Sequence, residues 1–211
     1  MGALGKKDGC VICGGKLPAL TSIVLADGKM CRKCWDQCTQ YVVFPQRFTS
    51  SDIKRNMEEA IGNKRLYQIF SPREFPYLLH IDYINRLFAV APKKLLKSQK
   101  AYIFSFDEIL DYEVFQDGNT ISKSGVGGAI AGGILFGGAG LVVGGLMGRG
   151  TKETITKMSI NLKTTNEWAP TVEISILSSE VKKDSATYRL TKLNTETLLQ
   201  AIDSMMQKSS Q

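Results

Sequence analysis

The sequence predicts an α+β protein with a small cysteine-rich module, a connecting helix, and an antiparallel curled sheet or barrel that a C-terminal helix closes. Three observations support this: two Cys-x-x-Cys pairs near the N-terminus, alternating apolar strands from Tyr77 onward, and an amphipathic final stretch. The 211 residues, with a net charge of +7, suffice for one medium domain and one small module. We expect boundaries at 1–40, 41–74 and 75–211, with a glycine-rich insert at 125–150.

The first pair is Cys10 and Cys13, and the second is Cys31 and Cys34 after 17 further residues. This spacing is typical of four-cysteine ribbons that place four thiolates on one tetrahedral Zn²⁺. Four thiolates leave no open position for water, so the predicted zinc is structural. Two disulfides are the alternative, but the N-terminus shows no export signal, and we expect a reducing cytosol. Cys38 is a fifth cysteine to which the sequence assigns no role.

A hairpin and a helix complete the predicted N-terminal half. LTSIVLADGKM indicates a hairpin that turns at Asp27-Gly28. SSDIKRNMEEAIGNKRLYQIF indicates a helix that Ser50 or Ser51 caps. The apolar side chains of this helix share one stripe, which consists of Ile53, Met57, Ala60 and Ile61.

Strand patterns follow. YLLHID, RLFAVAP, AYIFSF and ILDYEVFQDG precede the insert, the last with Leu110, Tyr112 and Val114 on one face and a turn at Asp117-Gly118. TITKMSINLKTT and PTVEISIL follow the insert, and Tyr188 is expected in a shorter strand. The final helix NTETLLQAIDSMMQ is expected to be capped by Asn194 or Thr195. Its apolar face is predicted to consist of Leu198, Leu199, Ile202 and Met206.

The insert is uncharged for 22 residues, from Val126 to Met147, and nine of these are glycine. One helix of that length would cover about 33 Å, enough to cross a bilayer. Glycines at four-residue spacing let another backbone approach closely, which favours a helical segment that packs on itself. A buried core element and a flexible linker are the alternatives. The glycines of this predicted self-association or membrane surface are Gly128, Gly132, Gly133, Gly137, Gly140, Gly144 and Gly148.

Topology constrains the insert further. If the strands before and after it pair in one sheet, both of its ends lie on the same side of any membrane, and one straight crossing is excluded. A hairpin that folds back at Gly137-Gly138 would satisfy this condition, with two arms of about eleven residues and about 16 Å each. A segment that stays outside lipid and packs against other copies would satisfy it too. Lys123, Arg149 and Lys152 flank the segment and suit a cytoplasmic location for both ends.

Several segments of the sequence resemble those of a known group of bacterial domains. YLLHIDYINRLFAVAP, SFDEILDYEVFQDGNTISKSG and the final helix are similar to bacterial pleckstrin-homology-like (PH-like) domains of Gram-positive bacteria and their prophages. CVICGGKLPALTSIVLADGKMCRKC resembles the zinc-ribbon-like domain of unknown function that often precedes them, and glycine-zipper inserts occur in the same group. The resemblance implies a PH-like fold and a non-enzymatic scaffold.

The remaining features concern partners. The loop PKKLLKSQK carries lysines that could contact an anionic membrane surface, at about 1 kcal/mol each, or nucleic acid phosphate, or only solvent. These are Lys93, Lys94, Lys97 and Lys100. The single histidine, His80, lies in an apolar strand, and no phosphate-binding motif is present. We therefore expect no enzyme and no small-molecule substrate.

The sequence thus predicts a non-enzymatic, membrane-associated interaction protein that self-associates through a glycine zipper. We expect a homo-oligomer on the cytoplasmic side of the cell membrane, with room for an unidentified protein partner. One alternative is a zipper-assembled effector that perturbs membranes in phage exclusion or defence. A second is a soluble, cytoplasmic zinc-ribbon factor that associates with nucleic acid, a partner that the sequence favours less than membrane.

Overall fold

The computed structural model describes residues 9–18, 20–123 and 154–207, so the predicted glycine-rich hairpin at 125–150 lies outside the described residues. The chain divides into two compact units. Unit 1 consists of residues 1–70 and 92–103, and unit 2 consists of residues 71–91 and 104–211. No helix within the described ranges is long and apolar enough to span a membrane.

The described residues of unit 1 include a hairpin, three α-helices and a short 3-10 helix at Pro45–Arg47. The hairpin strands are β1 (Ile23–Leu25) and β2 (Gly28–Met30), and the helices are α1 (Arg32–Trp35), α2 (Ser50–Leu66) and α3 (Lys93–Lys97). Leu25 pairs with Gly28, so the turn is Ala26-Asp27 and not the predicted Asp27-Gly28. Gly28 lies in β2 instead, where a Cβ atom would come within 2.5 Å of a Val11 methyl group. The glycine is needed for this close approach, not for the turn.

Helix α2 begins one residue earlier than predicted, and its buried face is different. Thr49 is the N-cap in a capping box with Asp52, in which Asp52 Oδ2 accepts from the Thr49 amide at 2.9 Å. Ile61, predicted to be apolar core, is 54% exposed, and Met57 is half-buried. The side chains of α2 that are buried are Ile53, Asn56, Ala60 and Asn63.

The described residues of unit 2 form antiparallel strands, a short 3-10 helix at Phe106–Glu108 and one long helix. Two short strands, β9 (Thr154–Ile155) and β12 (Val181–Lys182), pair with each other. The first four-stranded sheet runs in the order β3 (Arg73–Glu74), β4 (Leu79–Asp82), β5 (Leu87–Val90), β6 (Phe104–Ser105). The second runs β11 (Thr171–Leu177), β10 (Met158–Thr164), β7 (Ile109–Gln116), β8 (Asn119–Lys123). The α+β prediction is confirmed, and the described strands form separate sheets without closing into a barrel.

Strand β7 pairs with β8 on one side and with β10 on the other. Gln116 opposes Asn119 across Asp117-Gly118, whose φ angles are 49° and 84°, so the predicted turn is confirmed. The predicted inward face of β7 is correct for Tyr112 and Val114 but wrong for Leu110, which is 60% exposed. A register shift opposite Lys163 and Thr164 turns Ile109 inward in its place.

Helix α4 (Ala186–Met206) is longer than predicted. Ser185 caps it by accepting from the Tyr188 amide at 3.1 Å, so the predictions of a start at Asn194 or Thr195 and of a strand at Tyr188 are wrong. Its buried side chains include Leu198, Leu199 and Ile202 as predicted, with Met205 in place of Met206. These residues join the apolar core of unit 2.

Candidate metal centre

The structure brings four of the five cysteines together. The Sγ atoms of Cys10, Cys13, Cys31 and Cys34 all lie within 4.8 Å of one another. The separations are 3.8 Å between Cys10 and Cys34, 3.8 Å between Cys13 and Cys31, and 3.6 Å between Cys31 and Cys34. Residues from the start of the chain and from the turn after β2 thus converge on one point.

These distances fit a metal tetrahedron and not a pair of disulfides. Four sulfurs at about 2.3 Å from a tetrahedral ion lie about 3.8 Å apart, whereas a disulfide needs about 2.05 Å. All five cysteines are free thiols. The predicted alternative of two disulfides is therefore not what this geometry shows, and the four sulfurs can hold one metal ion.

A tight turn positions the first pair. The Cys10 amide donates to the Gly15 carbonyl at 2.8 Å, and the Gly14 amide donates to the Cys10 carbonyl at 2.8 Å. Gly14 has φ +72°, a left-handed conformation that other residues adopt at a cost. The Val11 amide also donates to the Lys29 carbonyl at 3.0 Å, which holds this turn against β2.

The second pair lies at the start of α1. Cys31 is the N-cap of this short helix, and the Cys34 amide donates to the Cys31 carbonyl at 3.1 Å, so both thiols lie on the same turn. The Cys31 amide in turn donates to Cys10 Sγ at 3.3 Å. Amide donors directed at sulfur are expected where the sulfur carries negative charge.

The thiols differ in how easily they ionise. Burial alone would raise the pKa of Cys10, but amide hydrogen bonds from Cys13, Cys31 and Ile12 outweigh it and lower the pKa to about 6. Burial raises the pKa of Cys34, and the neighbouring sulfurs, including the Cys10 thiolate, raise it further. The Cys10 thiolate is thus favoured, and a bound cation would favour ionisation of Cys34 as well.

Cys38 stands outside the cluster. Its thiol contacts the Cys34 carbonyl oxygen at 3.6 Å, and burial, with a smaller contribution from the charge of Asp36, raises its pKa to about 11. A thiol with a raised pKa is a poor nucleophile. The structure gives Cys38 no place among the four sulfurs.

The other residues singled out in the sequence lie elsewhere. The four lysines of PKKLLKSQK lie on α3 or just after it, are exposed, and belong to unit 1. His80 is buried, and its Nε2 lies 3.0 Å from the Ala91 carbonyl oxygen, which accepts. The seven glycines of the predicted zipper surface lie outside the described residues.

Sequence reasoning missed two buried asparagines on α2. Asn56 Oδ1 accepts from the amide of Thr39 at 2.8 Å, and Thr39 lies five residues after Cys34 in the sequence. Asn63 bonds both backbone groups of Ile103, accepting from its amide at 3.0 Å and donating to its carbonyl oxygen. Their seven-residue spacing, which is two helical turns, was the available signal, because it places both amides on the face of Ile53 and Ala60.

Comparison with protein families concerns the second part of the chain. The model of the family described as the glycine zipper containing PH domain matches residues 68–178, just over half of the chain. The chain belongs to this family. The match to the glycine zipper containing PH domain includes the 125–150 segment and strands β3 to β11, while the four-cysteine cluster lies before it. Comparisons with curated proteins and with solved structures found no match.

Membership in the glycine zipper containing PH domain family agrees with the PH-like fold expected from the sequence. PH-like domains are generally non-catalytic interaction modules, and the match indicates no enzymatic family. The expected bacterial or prophage source stays a prediction, as do the membrane and the oligomer.

Proposed function

We propose that this protein is a non-enzymatic scaffold that associates with the cytoplasmic face of the cell membrane and self-associates through its glycine zipper. We further propose that the four-cysteine centre holds structural Zn²⁺. The observation that carries the first proposal is the sheet that contains β7, β8 and β10, because β8 precedes the glycine segment and β10 follows it. The membrane, the oligomer and the identity of the metal are the parts to be tested.

The shared sheet supports a segment that returns to its own side of the membrane. Ile160 of β10 opposes Val114 of β7, and Ser122 of β8 opposes the same residue from the other side. A single membrane crossing between β8 and β10 would place these strands on opposite sides of the bilayer. Under this proposal the glycine segment folds back into a hairpin or stays outside lipid, and in both arrangements we expect another backbone to cover the glycine seam.

The donor set supports zinc. Four thiolates fill every position of a tetrahedral ion, which is typical of structural zinc sites. Soft sulfur ligands also favour Zn²⁺ over hard cations. Bound at the cysteines, the ion would supply charge neutralisation and a fixed crosslink between the first turn and α1. Two hydrogen bonds already hold these parts together: the Val11 amide donates to the Lys29 carbonyl of β2, and the Cys31 amide donates to Cys10 Sγ.

The test compares the intact protein with a variant in which residues 124–153 are replaced by a short Gly-Ser linker. We expect the intact protein to sediment with membranes through high-salt and alkaline washes, and to be oligomeric in mild detergent by light scattering. The variant should be monomeric and released by the washes, with an unchanged melting temperature because both strands remain paired. A matched control replaces Gly132 and Gly140 with leucine, which keeps the apolar length but fills the seam.

The outcomes separate the two halves of the proposal. Oligomers lost in the leucine control, with sedimentation retained, would support self-association through the glycine seam and a separate membrane contact. An intact protein that is monomeric in detergent and extracted by salt would refute both.

A further inference from the structure

The positive charge of the chain is concentrated in unit 1. Unit 1 carries 15 of the 27 Lys and Arg residues but only 6 of the 20 Asp and Glu residues, a net charge of +9. Unit 2 has a net charge of −2. A charge asymmetry of this size between parts of one chain favours an anionic partner for the basic part.

Unit 1 also contains a cavity of about 440 Å³, in the range of about 300 to 1,000 Å³ of small-molecule sites. Three separate segments line it: the stretch after the cysteines from Trp35 to Val42, helix α2, and the lysine-rich segment that contains α3. The cavity thus brings together α2 and the lysine-rich segment, which lie some 30 residues apart in the sequence.

The walls of the cavity are fixed by hydrogen bonds. Asn63 holds both backbone groups of Ile103, and the Tyr67 hydroxyl donates to the Ala101 carbonyl at 2.6 Å. The Tyr102 hydroxyl donates to Glu59, and its ring meets the Tyr41 ring edge-on at 6.0 Å between centroids. A cavity with such walls is largely preformed, which lowers the entropy cost of binding.

The lining combines cations and an aromatic side chain. Lys64 and Lys100 line the cavity, and neither has an ion pair in the part of the chain that the structure describes. The one acidic lining residue, Asp36, already binds Arg32 at 3.0 Å. Trp35 is half-buried at the wall.

We propose that this cavity binds one nucleotide of a single-stranded nucleic acid. The base stacks on Trp35, and the adjacent phosphates contact Lys64 and Lys100. Stacking on an aromatic side chain with flanking cations is how proteins bind single strands without reading their sequence. A lipid headgroup would occupy the lysines but would leave the indole face unused. This site is independent of the zipper, so it stands or falls separately from the membrane proposal.

The first test measures binding of fluorescein-labelled dT12 and U12 to the full chain in mild detergent, from 50 to 300 mM NaCl. Each phosphate contact to a single strand contributes about 0.7 to the slope of log K against log salt. The double variant Lys64→Gln/Lys100→Gln should therefore lower the slope by about 1.4 and weaken binding. The matched control Lys182→Gln/Lys183→Gln removes the same charge from exposed positions of unit 2 and should leave the slope within about 0.3 of wild type.

The second test concerns the aromatic contact. In a Trp168→Phe background Trp35 is the sole tryptophan, and its fluorescence should be quenched when the oligonucleotide binds. Trp35→Ala should weaken binding about 5- to 150-fold, and Trp35→Phe should retain most of it. Because Trp35 lies next to a cysteine of the metal centre, metal content and melting temperature are measured for each variant. Trp35→Leu, which keeps apolar bulk beside the metal centre but offers no aromatic face, repeats the test if Trp35→Ala does not fold.

Two results would overturn the proposal. One is equal loss of affinity in both lysine pairs with no quenching of Trp35, which would reduce the binding to general charge. The other is a protein that binds vesicles with 30% phosphatidylglycerol through Lys64 and Lys100 but binds neither oligonucleotide. That result would assign these two lysines to lipid binding.

Discussion

Asparagine 63 gives the sharpest test of how unit 1 is assembled. Its side chain lies on α2 and bonds both the amide and the carbonyl of Ile103, 40 residues away. Asn63 is 9% exposed and Ile103 is 1% exposed, so water cannot replace these bonds. Asn63→Ala therefore leaves one buried donor and one buried acceptor without partners.

The expected cost follows from those two groups. An unsatisfied buried polar group costs about 1 to 3 kcal/mol, so Asn63→Ala should lower the free energy of unfolding by about 2 to 5 kcal/mol. Whole domains have about 5 to 15 kcal/mol, so the loss would be large. Asn63→Asp should be at least as severe, because its second oxygen would face the Ile103 carbonyl with no proton to donate.

Urea unfolding gives the free energy, and limited trypsin digestion locates the effect. Tryptic cleavage at Lys93, Lys94, Lys97 and Lys100 should become faster in Asn63→Ala, because the Ile103 end of this segment is no longer held. Glu58→Ala, an exposed change on the same helix, is the control and should shift stability by less than about 0.5 kcal/mol. If Asn63→Ala unfolds like the control and is cut at the same rate, then α2 does not hold this segment and the cavity wall is not fixed as described.

Three further predictions concern other parts of the chain. Elemental analysis should find one metal ion per chain, and Cys13→Ser, at the exposed corner of the cluster, should lose it to a mild chelator. Gly28→Ala should cost about 1 to 3 kcal/mol in urea unfolding, because its Cβ would lie 2.5 Å from a Val11 methyl, and Val11→Ala should relieve part of this loss. Asp82→Asn should cost about 2 to 4 kcal/mol at pH 7, because buried Asp82 accepts from the Ser71 amide at 2.8 Å and from the Asn85 side chain at 2.9 Å. Burial alone would raise the pKa of Asp82, but these hydrogen bonds hold the pKa below its usual value. The ionised Asp82 therefore stabilises the fold above about pH 3.9, and this stabilisation is lost as pH falls further. Melting curves from pH 3 to 7 should show this loss in wild type and not in Asp82→Asn.

Local patterns predicted what depends on neighbours in sequence. The Cys-x-x-Cys pairs close turns of a few residues, and the structure places their sulfurs together. The alternation in ILDYEVFQDG and the Asp117-Gly118 turn likewise involve contacts between adjacent strands. Such features depend little on distant parts of the chain, so they can be predicted from local sequence.

The start of α4 was misplaced for a physical reason. Threonine near a helix start is read as a cap, yet Thr191 and Thr195 lie inside α4 and are buried. Their hydroxyls donate back to the carbonyls of Thr187 and Thr191, at 2.9 and 2.8 Å. A hydroxyl satisfied within its own helix can face a core, so it gives no boundary signal.

The buried face of α2 was misread because its polar residues have partners that lie far along the chain. Asn56 bonds Thr39, and Asn63 bonds Ile103, so polar positions are buried while Ile61 stays exposed. Apolar periodicity ranks isoleucine above asparagine for burial, and the ranking reverses only when the amide replaces a backbone partner. That information lies in the tertiary contacts of unit 1.

The connectivity of the chain has a consequence for any attempt to isolate the cysteine module. The chain passes between the two units three times, after residues 70, 91 and 103, because residues 92–103 belong to unit 1. A fragment that ends at residue 74 keeps the four cysteines but loses the partners of Asn63, Tyr67 and Glu59. It also loses one wall of the basic cavity, including Lys100. Such a fragment should therefore still bind metal but unfold at lower urea than unit 1 in the full chain, and it should not bind the oligonucleotide through this cavity.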